Sequence, residues 1–241
     1  MSLPYVLADD ARPVLGAIVL QADATLEDDL RRLMPRDVRL MVSRVPSGLA
    51  VTSDSLEAMA GHLTDAANLF PRGEGFDTIA YGCTSGAAQI GPERVAQLIR
   101  AGAPAQRVTE PVSALVAACR AAGVTRLALV SPYVEQVSQR LRDVLAVAGI
   151  ATPVFASFDE AEEARVARIS AQSLRDATHH VAAQGDVDAV FLSCTNLRTL
   201  DLIPSLGRDL GVPVWSSNLV LAWHMLDGTD HAAAQPGALV A

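Results

Sequence analysis

Two segments of the chain read as copies of one another and put a cysteine at the same point: Phe76-Asp-Thr-Ile-Ala-Tyr-Gly-Cys83-Thr-Ser-Gly86 and Val187-Asp-Ala-Val-Phe-Leu-Ser-Cys194-Thr-Asn-Leu197. In each, an aspartate precedes a small or β-branched apolar run that ends in Cys-Thr and a small polar residue. The cysteines are 111 residues apart in a chain of 241, so the spacing is close to half the length. A short apolar run bounded by polar residues suits a strand buried on both faces of a parallel sheet. Each cysteine then stands where a strand gives way to a loop, which is the end of an open α/β sheet that binds ligands. Two thiols on pseudo-symmetric strand ends can face each other across a cleft and reach both faces of one carbon atom.

A single strand-end cysteine is ordinarily a small buried hydrophobe. Repetition of thiol, hydroxyl and polar cap in both halves makes Cys83 and Cys194 candidate catalytic groups. Cys119 serves as the contrast, because it lies in the Ala-rich helical stretch Val112 to Ala122, where a packed structural thiol is expected.

The duplication extends to other strands. Val14 to Leu20 and Val124 to Val130 are both apolar, and aligning Leu20 with Val130 gives an offset of 110. Each is followed by a polar loop and a helix, Leu26 to Leu33 in the first half and Val134 to Ala148 in the second. Second strands are expected at Arg39 to Val45 and Thr152 to Phe158. Further helices are expected at Ser53 to Leu69, Pro92 to Ala101, Val166 to Ala183, Ile203 to Leu210 and Leu219 to Leu226, with a short strand at Pro213 to Trp215. Gly102 and Gly185 sit where helix ends take glycine, and Pro92 suits a first helical turn. Alternating strands and helices predict an α/β fold with parallel sheets and right-handed crossovers. The division expected is residues 1–112 plus 218–241 for one half and 113–217 for the other.

Charge and composition narrow the partners. Net charge is −8 with no basic block, so nucleic acid and anionic membrane surfaces are not expected partners, and a small molecule is. No apolar run reaches the ~18 residues of a membrane span. Three cysteines in no zinc or Cys-x-x-Cys spacing point to a reducing compartment, and the cytoplasm is the expected location. No G-x-S-x-G elbow and no G-x-G-x-x-G after the first strand occur, which argues against a serine hydrolase and a nucleotide cofactor. His179-His180 has no carboxylate or cysteine at metal spacing, so no metal site is expected there.

With Tyr81-Gly-Cys83-Thr-Ser-Gly86 and Ser193-Cys194-Thr-Asn196 on duplicated halves, the chain from about Val14 to Leu226 resembles the aspartate/glutamate racemase superfamily. Within it the chain looks most like the branch of maleate cis-trans isomerases, arylmalonate decarboxylases and the racemase-like proteins of ectoine utilisation. The Cys-Thr-Ser-Gly-x-x-x-Ile-Gly string ending at Gly91 is similar to the last of these. The resemblance implies two pseudo-symmetric flavodoxin-like domains with the active site in the cleft between them, no metal or organic cofactor, and a homo-oligomer. It also implies a cofactor-independent racemase or isomerase of a small carboxylate, such as an amino acid, an N-acyl amino acid or a dicarboxylate.

Such chemistry explains the use of two thiols. A proton next to a carboxylate is removed only with a base on one face, an acid on the other and donors for the developing enolate oxygens. A free thiol has a pKa of ~8.5, so polar neighbours must favour the thiolate. Backbone N–H groups and side chains of Thr84, Ser85 and Gly86, and of Thr195 and Asn196, are the candidate carboxylate cradle. Asp23 follows the first strand where maleate isomerases carry asparagine, and resembles the acidic residue that serves the first cysteine in amino-acid racemases; its plain alternative is a helix cap. A carboxylate there disfavours a dianionic substrate. Tyr133, the matching loop residue of the second half, resembles the tyrosine that holds a substrate carboxylate in this branch.

Glu163 falls near a second asparagine of the maleate isomerases, but the acidic run Asp159 to Glu163 also reads as a solvated helix start. Arg44 and Asn218 can reach the cleft from strand ends. Two rivals stand beside the leading reading: a non-catalytic carboxylate binder using the same loops, and an arylmalonate-type decarboxylase, although the decarboxylases keep only the second cysteine.

Overall fold

Two four-stranded parallel sheets of the same strand order carry the chain, seen in a computed structural model that describes residues 2–8 and 10–240. The first sheet comprises β1 (Val14–Leu20), β2 (Arg39–Val45), β3 (Phe76–Gly82) and β4 (Ala105–Thr109), ordered β2-β1-β3-β4. The second comprises β5 (Arg126–Ser131), β6 (Ala151–Ser157), β7 (Ala189–Leu192) and β8 (Val214–Ser216), ordered β6-β5-β7-β8. Each is a flavodoxin-like arrangement, and each has its topological switch between its first and third strands. Helices cover the sheets, so β1 and β7 are buried along their whole lengths, and that burial is why their sequences are uninterrupted apolar runs.

The aspartate that opens each repeat has a structural task. Asp77 accepts a 2.8 Å hydrogen bond from the N–H of Val14, the first residue of β1. Asp188 accepts 2.8 Å bonds from the N–H groups of Thr125 and Arg126, where β5 begins. Both satisfy donors at a strand start and thereby fix the neighbouring strand's register. Leu15 stands opposite Thr78 and Leu127 opposite Ala189, so the sheets equate Leu15 with Leu127, an offset of 112 rather than the 110 expected. Runs of similar apolar residues carry no register mark of their own, and the aspartates supply it.

Several elements differ from expectation. Ser53 to Leu69 is broken into helix Ser53–Ala58, a 3-10 turn Met59–His62 and helix Leu63–Asn68, with Gly61 inside the tight turn. Helix Ala171–Ala183 begins later than expected, where the Ser170 hydroxyl accepts from the Ser173 N–H, and a separate turn of helix occupies Glu163–Val166. The polar edge strand β4 and helix Thr84–Ile90 were not foreseen; the segment after Cys83 is the first turn of a helix, with Cys83 at its N-cap. The chain passes between halves along helix Pro111–Ala122, which spans the expected boundary, and helix Ser217–Met225 returns to pack on β3 and β4. No helix among the described residues is long and apolar enough to cross a membrane.

Removing the Asp77 carboxylate leaves the half-buried Val14 N–H without its partner. Asp77→Ala is expected to lower the unfolding free energy by about 1 kcal/mol, with the denaturant slope unchanged. Urea titration followed by circular dichroism checks this.

Candidate active site

The loops at the carboxyl ends of β1, β3, β5 and β7 converge on one cavity. It is lined by Leu20, Asp23, Val51, Leu56, Cys83, Thr84, Ser85, Tyr133, Glu163, Cys194 and Thr195. Cys83 follows β3 and Cys194 follows β7, while Asp23 and Tyr133 come from the loops after β1 and β5, so the two halves contribute matching positions. The cavity holds only about 10 Å³ of space for a water-sized sphere, roughly one water molecule. A ligand larger than a water molecule therefore requires the cavity to widen. Two backbone bonds join the halves beside it: the Val51 N–H donates to the Ala161 carbonyl at 2.9 Å, and the Glu163 N–H to the Leu49 carbonyl at 3.0 Å.

Each thiol has a backbone donor and a tyrosine beside it. The Gly86 N–H donates to Cys83 Sγ at 3.2 Å, and the Tyr81 hydroxyl lies next to the same sulfur. The Asn196 N–H donates to Cys194 Sγ at 3.3 Å, and Tyr133 Oη lies 3.0 Å from it. Cys194 has φ +144°, a strained value for a side-chain-bearing residue, and is held there in part by its own N–H donating to Ser217 Oγ at 3.0 Å. Ser217 Oγ also meets Thr84 Oγ1 at 2.7 Å, so one hydroxyl bridges the two cysteine loops.

Electrostatics oppose ionisation of either sulfur. Burial pushes the Cys83 thiol up to about 12, with the Glu163 and Asp23 carboxylates adding to the rise and the Gly86 N–H and Tyr81 hydroxyl opposing it. Burial likewise lifts Cys194 well above the ordinary thiol value, again with Glu163 and Asp23 adding and with Tyr133 and the Asn196 N–H opposing. Burial also raises Asp23 and Glu163 themselves. No Lys, Arg or His is among the described residues lining the cavity.

Asp23 is a helix cap that also reaches the cavity. Its Oδ1 accepts from the Thr25 and Leu26 N–H groups at 2.8 Å each, capping the start of helix Leu26–Leu33. Its Oδ2 is buried at the cavity with no hydrogen-bond partner. Of the two readings of Glu163, the solvated one fails and the residue is buried in the site: Oε1 accepts from Tyr133 at 2.7 Å and Oε2 from Asn196 Nδ2 at 2.7 Å. Asp159 and Glu162 of that run do stay exposed.

Gly86 and Asn196 are not among the lining residues. Gly86 serves the sulfur, and a Cβ there would lie 2.5 Å from Tyr81 Oη and 3.0 Å from Cys83 Sγ, so close approach rather than positive φ calls for glycine. Asn196 is spent on structure, its Oδ1 accepting from the Ala24 N–H at 2.9 Å. Arg44 braces the Asp23 loop through the Leu20 and Asp23 carbonyls at 2.9 and 3.0 Å and turns its other nitrogen to Glu27. Asn218 donates to the Thr195 carbonyl at 2.9 Å and to Asp29 Oδ2 at 2.8 Å. Ser217 and Tyr81 were missed as partners of the thiols. Tyr81 stands two residues before Cys83, but its counterpart before Cys194 is Leu192, so the repeat gave no signal for it. Among the described residues no group of three or more His, Cys, Asp or Glu side chains could hold a metal ion.

Comparison with known proteins identifies the family. The model of the arylmalonate decarboxylase family matches residues 15–240. The chain belongs to that family. It is 31% identical to arylmalonate decarboxylase of Bordetella bronchiseptica over 232 residues, 93% of this chain and 94% of the relative. It is 25% identical to maleate isomerase of Nocardia farcinica, with 93% of each covered. A solved liganded arylmalonate decarboxylase, with one glycine exchanged for cysteine and one cysteine for serine, superposes with TM-score 0.79 at 27% identity, covering 92% of this chain and 94% of that one. Maleate isomerase of Pseudomonas putida S16 shares the fold at TM-score 0.78 over 89% and 91% of the two chains.

Because folding raises the Asp23 pKa through burial, its contribution to stability is full below the unfolded carboxyl value of about 3.9 and is lost as pH rises through the folded value. Asp23→Asn can keep the Oδ1 cap while removing the charge. The variant should therefore gain thermal stability over the wild type at pH above the folded value, with the gain shrinking on acidification. A pH series of melting curves checks the sign.

Proposed function

We propose that the protein is a cofactor-independent racemase or isomerase of a small carboxylate, in which Cys83 and Cys194 exchange protons with opposite faces of one carbon. The carrying observation is that both thiols line one cavity from matched strand ends. One sulfur, as thiolate, takes the proton α to the carboxylate, and the other, as thiol, delivers a proton to the opposite face, leaving the protonation states exchanged. The Thr84, Ser85 and Thr195 backbone amides and the Ser85 hydroxyl are the proposed holders of the substrate carboxylate. The N–H groups of Thr84 and Ser85 belong to a first helical turn and have no intrahelical acceptor.

A cavity lined by two carboxylates and no cation disfavours a dianion and suits an amino or amido acid. Asp23 Oδ2, without a partner, is the natural acceptor for a substrate ammonium or amide N–H. N-acetyl-diaminobutyrate, an ectoine-derived acid, fits this description; the link to ectoine breakdown rests on the sequence string ending at Gly91. Action in the cytoplasm as a homo-oligomer completes the proposal, and its basis for location is three unbridged cysteines.

The identity to arylmalonate decarboxylase supports a second reading, decarboxylation of a malonate, which requires one thiol. Turnover by cysteine variants separates the readings. With enantiopure aspartate and N-acetyl-diaminobutyrate as probes, Cys83→Ser and Cys194→Ser should each lower racemisation by about 10³-fold, since serine is a far weaker acid. Cys119→Ser should retain activity. Carbon dioxide release from phenylmalonate that survives Cys83→Ser would favour the decarboxylase, and absence of exchange by the wild type with every acid tried would favour the binder.

Substrate choice follows from the same charges. Asp23→Asn should improve binding of maleate and weaken binding of amino and amido acids, as read by calorimetry. Unchanged affinity for both classes would reduce Asp23 to a helix cap.

A further inference from the structure

Glu163 is the one ionisable group of the cavity bonded to a group that itself touches a reacting sulfur. The Tyr133 hydroxyl has a single proton and gives it to Glu163 Oε1 at 2.7 Å. Its contact with Cys194 Sγ at 3.0 Å must then run the other way, from S–H to phenolic oxygen. The three groups form a directed chain, thiol to phenol to carboxylate. Cys83 has no such chain: its sulfur accepts from the Gly86 N–H, and the Tyr81 hydroxyl beside it has Met59 Sδ, 3.6 Å away, and no carboxylate among its described hydrogen-bond neighbours.

We propose that Glu163 is the positioning residue that ionises Cys194 through Tyr133. In one concerted transfer the S–H proton passes to Tyr133 Oη and the phenolic proton passes to Glu163 Oε1. The products are a Cys194 thiolate, a neutral Tyr133 and a neutral Glu163, and the net charge stays at one negative. The proposal deepens the two-thiol reading, on which its use in catalysis rests.

Burial makes such a transfer useful. A thiolate formed by losing its proton to solvent would leave two negative groups, sulfur and Glu163, facing each other in a closed cavity. Internal transfer leaves one. The arrangement also explains why glutamate is held so firmly at this point: Asn196 Nδ2 donates to Oε2 at 2.7 Å and to the Glu163 carbonyl at 3.2 Å, leaving Oε1 to Tyr133. The titratable groups facing Glu163 are Tyr133, Asp23 and the two cysteines, none of them a cation. The other charges of its own turn point away, with Arg165 paired to Glu160 at the surface.

The relay predicts an asymmetry between the thiols that can be read without substrate. Wild type, E163Q and Y133F are alkylated with iodoacetamide across the neutral pH range, and the Cys194 and Cys83 peptides are quantified separately by mass spectrometry. Both sulfurs need the same opening of the cleft, so Cys83 is the internal control. Wild-type Cys194 should react at a rate nearly level with pH once Glu163 is ionised. In both variants the level stretch should vanish, the rate following hydroxide at about tenfold per pH unit and falling at least ~10-fold at neutral pH, while Cys83 does not fall and in E163Q rises, because the Glu163 carboxylate no longer opposes its ionisation. If Glu163 only repels the thiolate, E163Q makes Cys194 more reactive, and that result overturns the relay. Equal losses at both cysteines overturn it as well, since they mark a disturbed cleft. Y133F keeps the carboxylate and its Asn196 bonds, so it decides the matter should E163Q misfold. Turnover by the Cys194→Ser variant reads the two-thiol reaction separately, so the two claims fail on different results.

Discussion

The site depends on Asn196, whose side chain and carbonyl tie the halves together. Its Oδ1 accepts from the Ala24 N–H at 2.9 Å and its carbonyl from the Thr25 hydroxyl at 3.0 Å, both in the loop that follows β1. Its Nδ2 holds Glu163, and its N–H reaches Cys194 Sγ. One fully buried amide therefore sets the position of the Asp23 loop, the Glu163 carboxylate and the second thiol together. An amide suits the task because it offers donors and an acceptor without a charge, so burial needs only that each be matched. Ser217 and Asn218 reinforce the joint through the Cys194 N–H and the Thr195 carbonyl.

The joint brings two thiols and two carboxylates into a space nearly closed to water, and all four groups respond by resisting charge. Burial in such a site opposes the addition of any further negative charge beside the Glu163 carboxylate. The pairing of Leu49 to Val51 with Ala161 to Glu163 belongs to the same logic, since it holds the backbone of Glu163 beside the cavity. A ligand that supplies a positive or donor group to Asp23 Oδ2 would offset the burial of that carboxylate, which the protein itself leaves unmatched. Substrate selection and the cost of closing the cavity are thus decided by the same few atoms.

The sequence carried the architecture because burial writes itself into apolar runs. The duplicated strands, their parallel arrangement and the position of both cysteines at strand ends were legible from hydrophobic pattern and the repeat alone. Register was not, since Val14 to Leu20 and Val124 to Val130 can slide against one another without changing character, and only Asp77 and Asp188 mark the alignment. Helix Thr84–Ile90 was hidden because its polar first turn resembles a loop. The two readings of Glu163 were not separable in the sequence for a related reason: one buried acid in a run of exposed ones has no local signature, and its partners Tyr133 and Asn196 lie 30 and 33 residues away. Ser217 likewise gains its role only when the halves meet.

The central claim is that two groups, not one, handle the substrate proton. The direct measurement is the isotopic content of both enantiomers when enantiopure aspartate or N-acetyl-diaminobutyrate, whichever is turned over, is racemised in deuterated water and stopped early. With a separate thiol on each face, the newly formed enantiomer carries deuterium at the α-carbon while the unreacted enantiomer retains protium. Equal deuterium in both enantiomers at low conversion, the mark of one group serving both faces, would contradict the account.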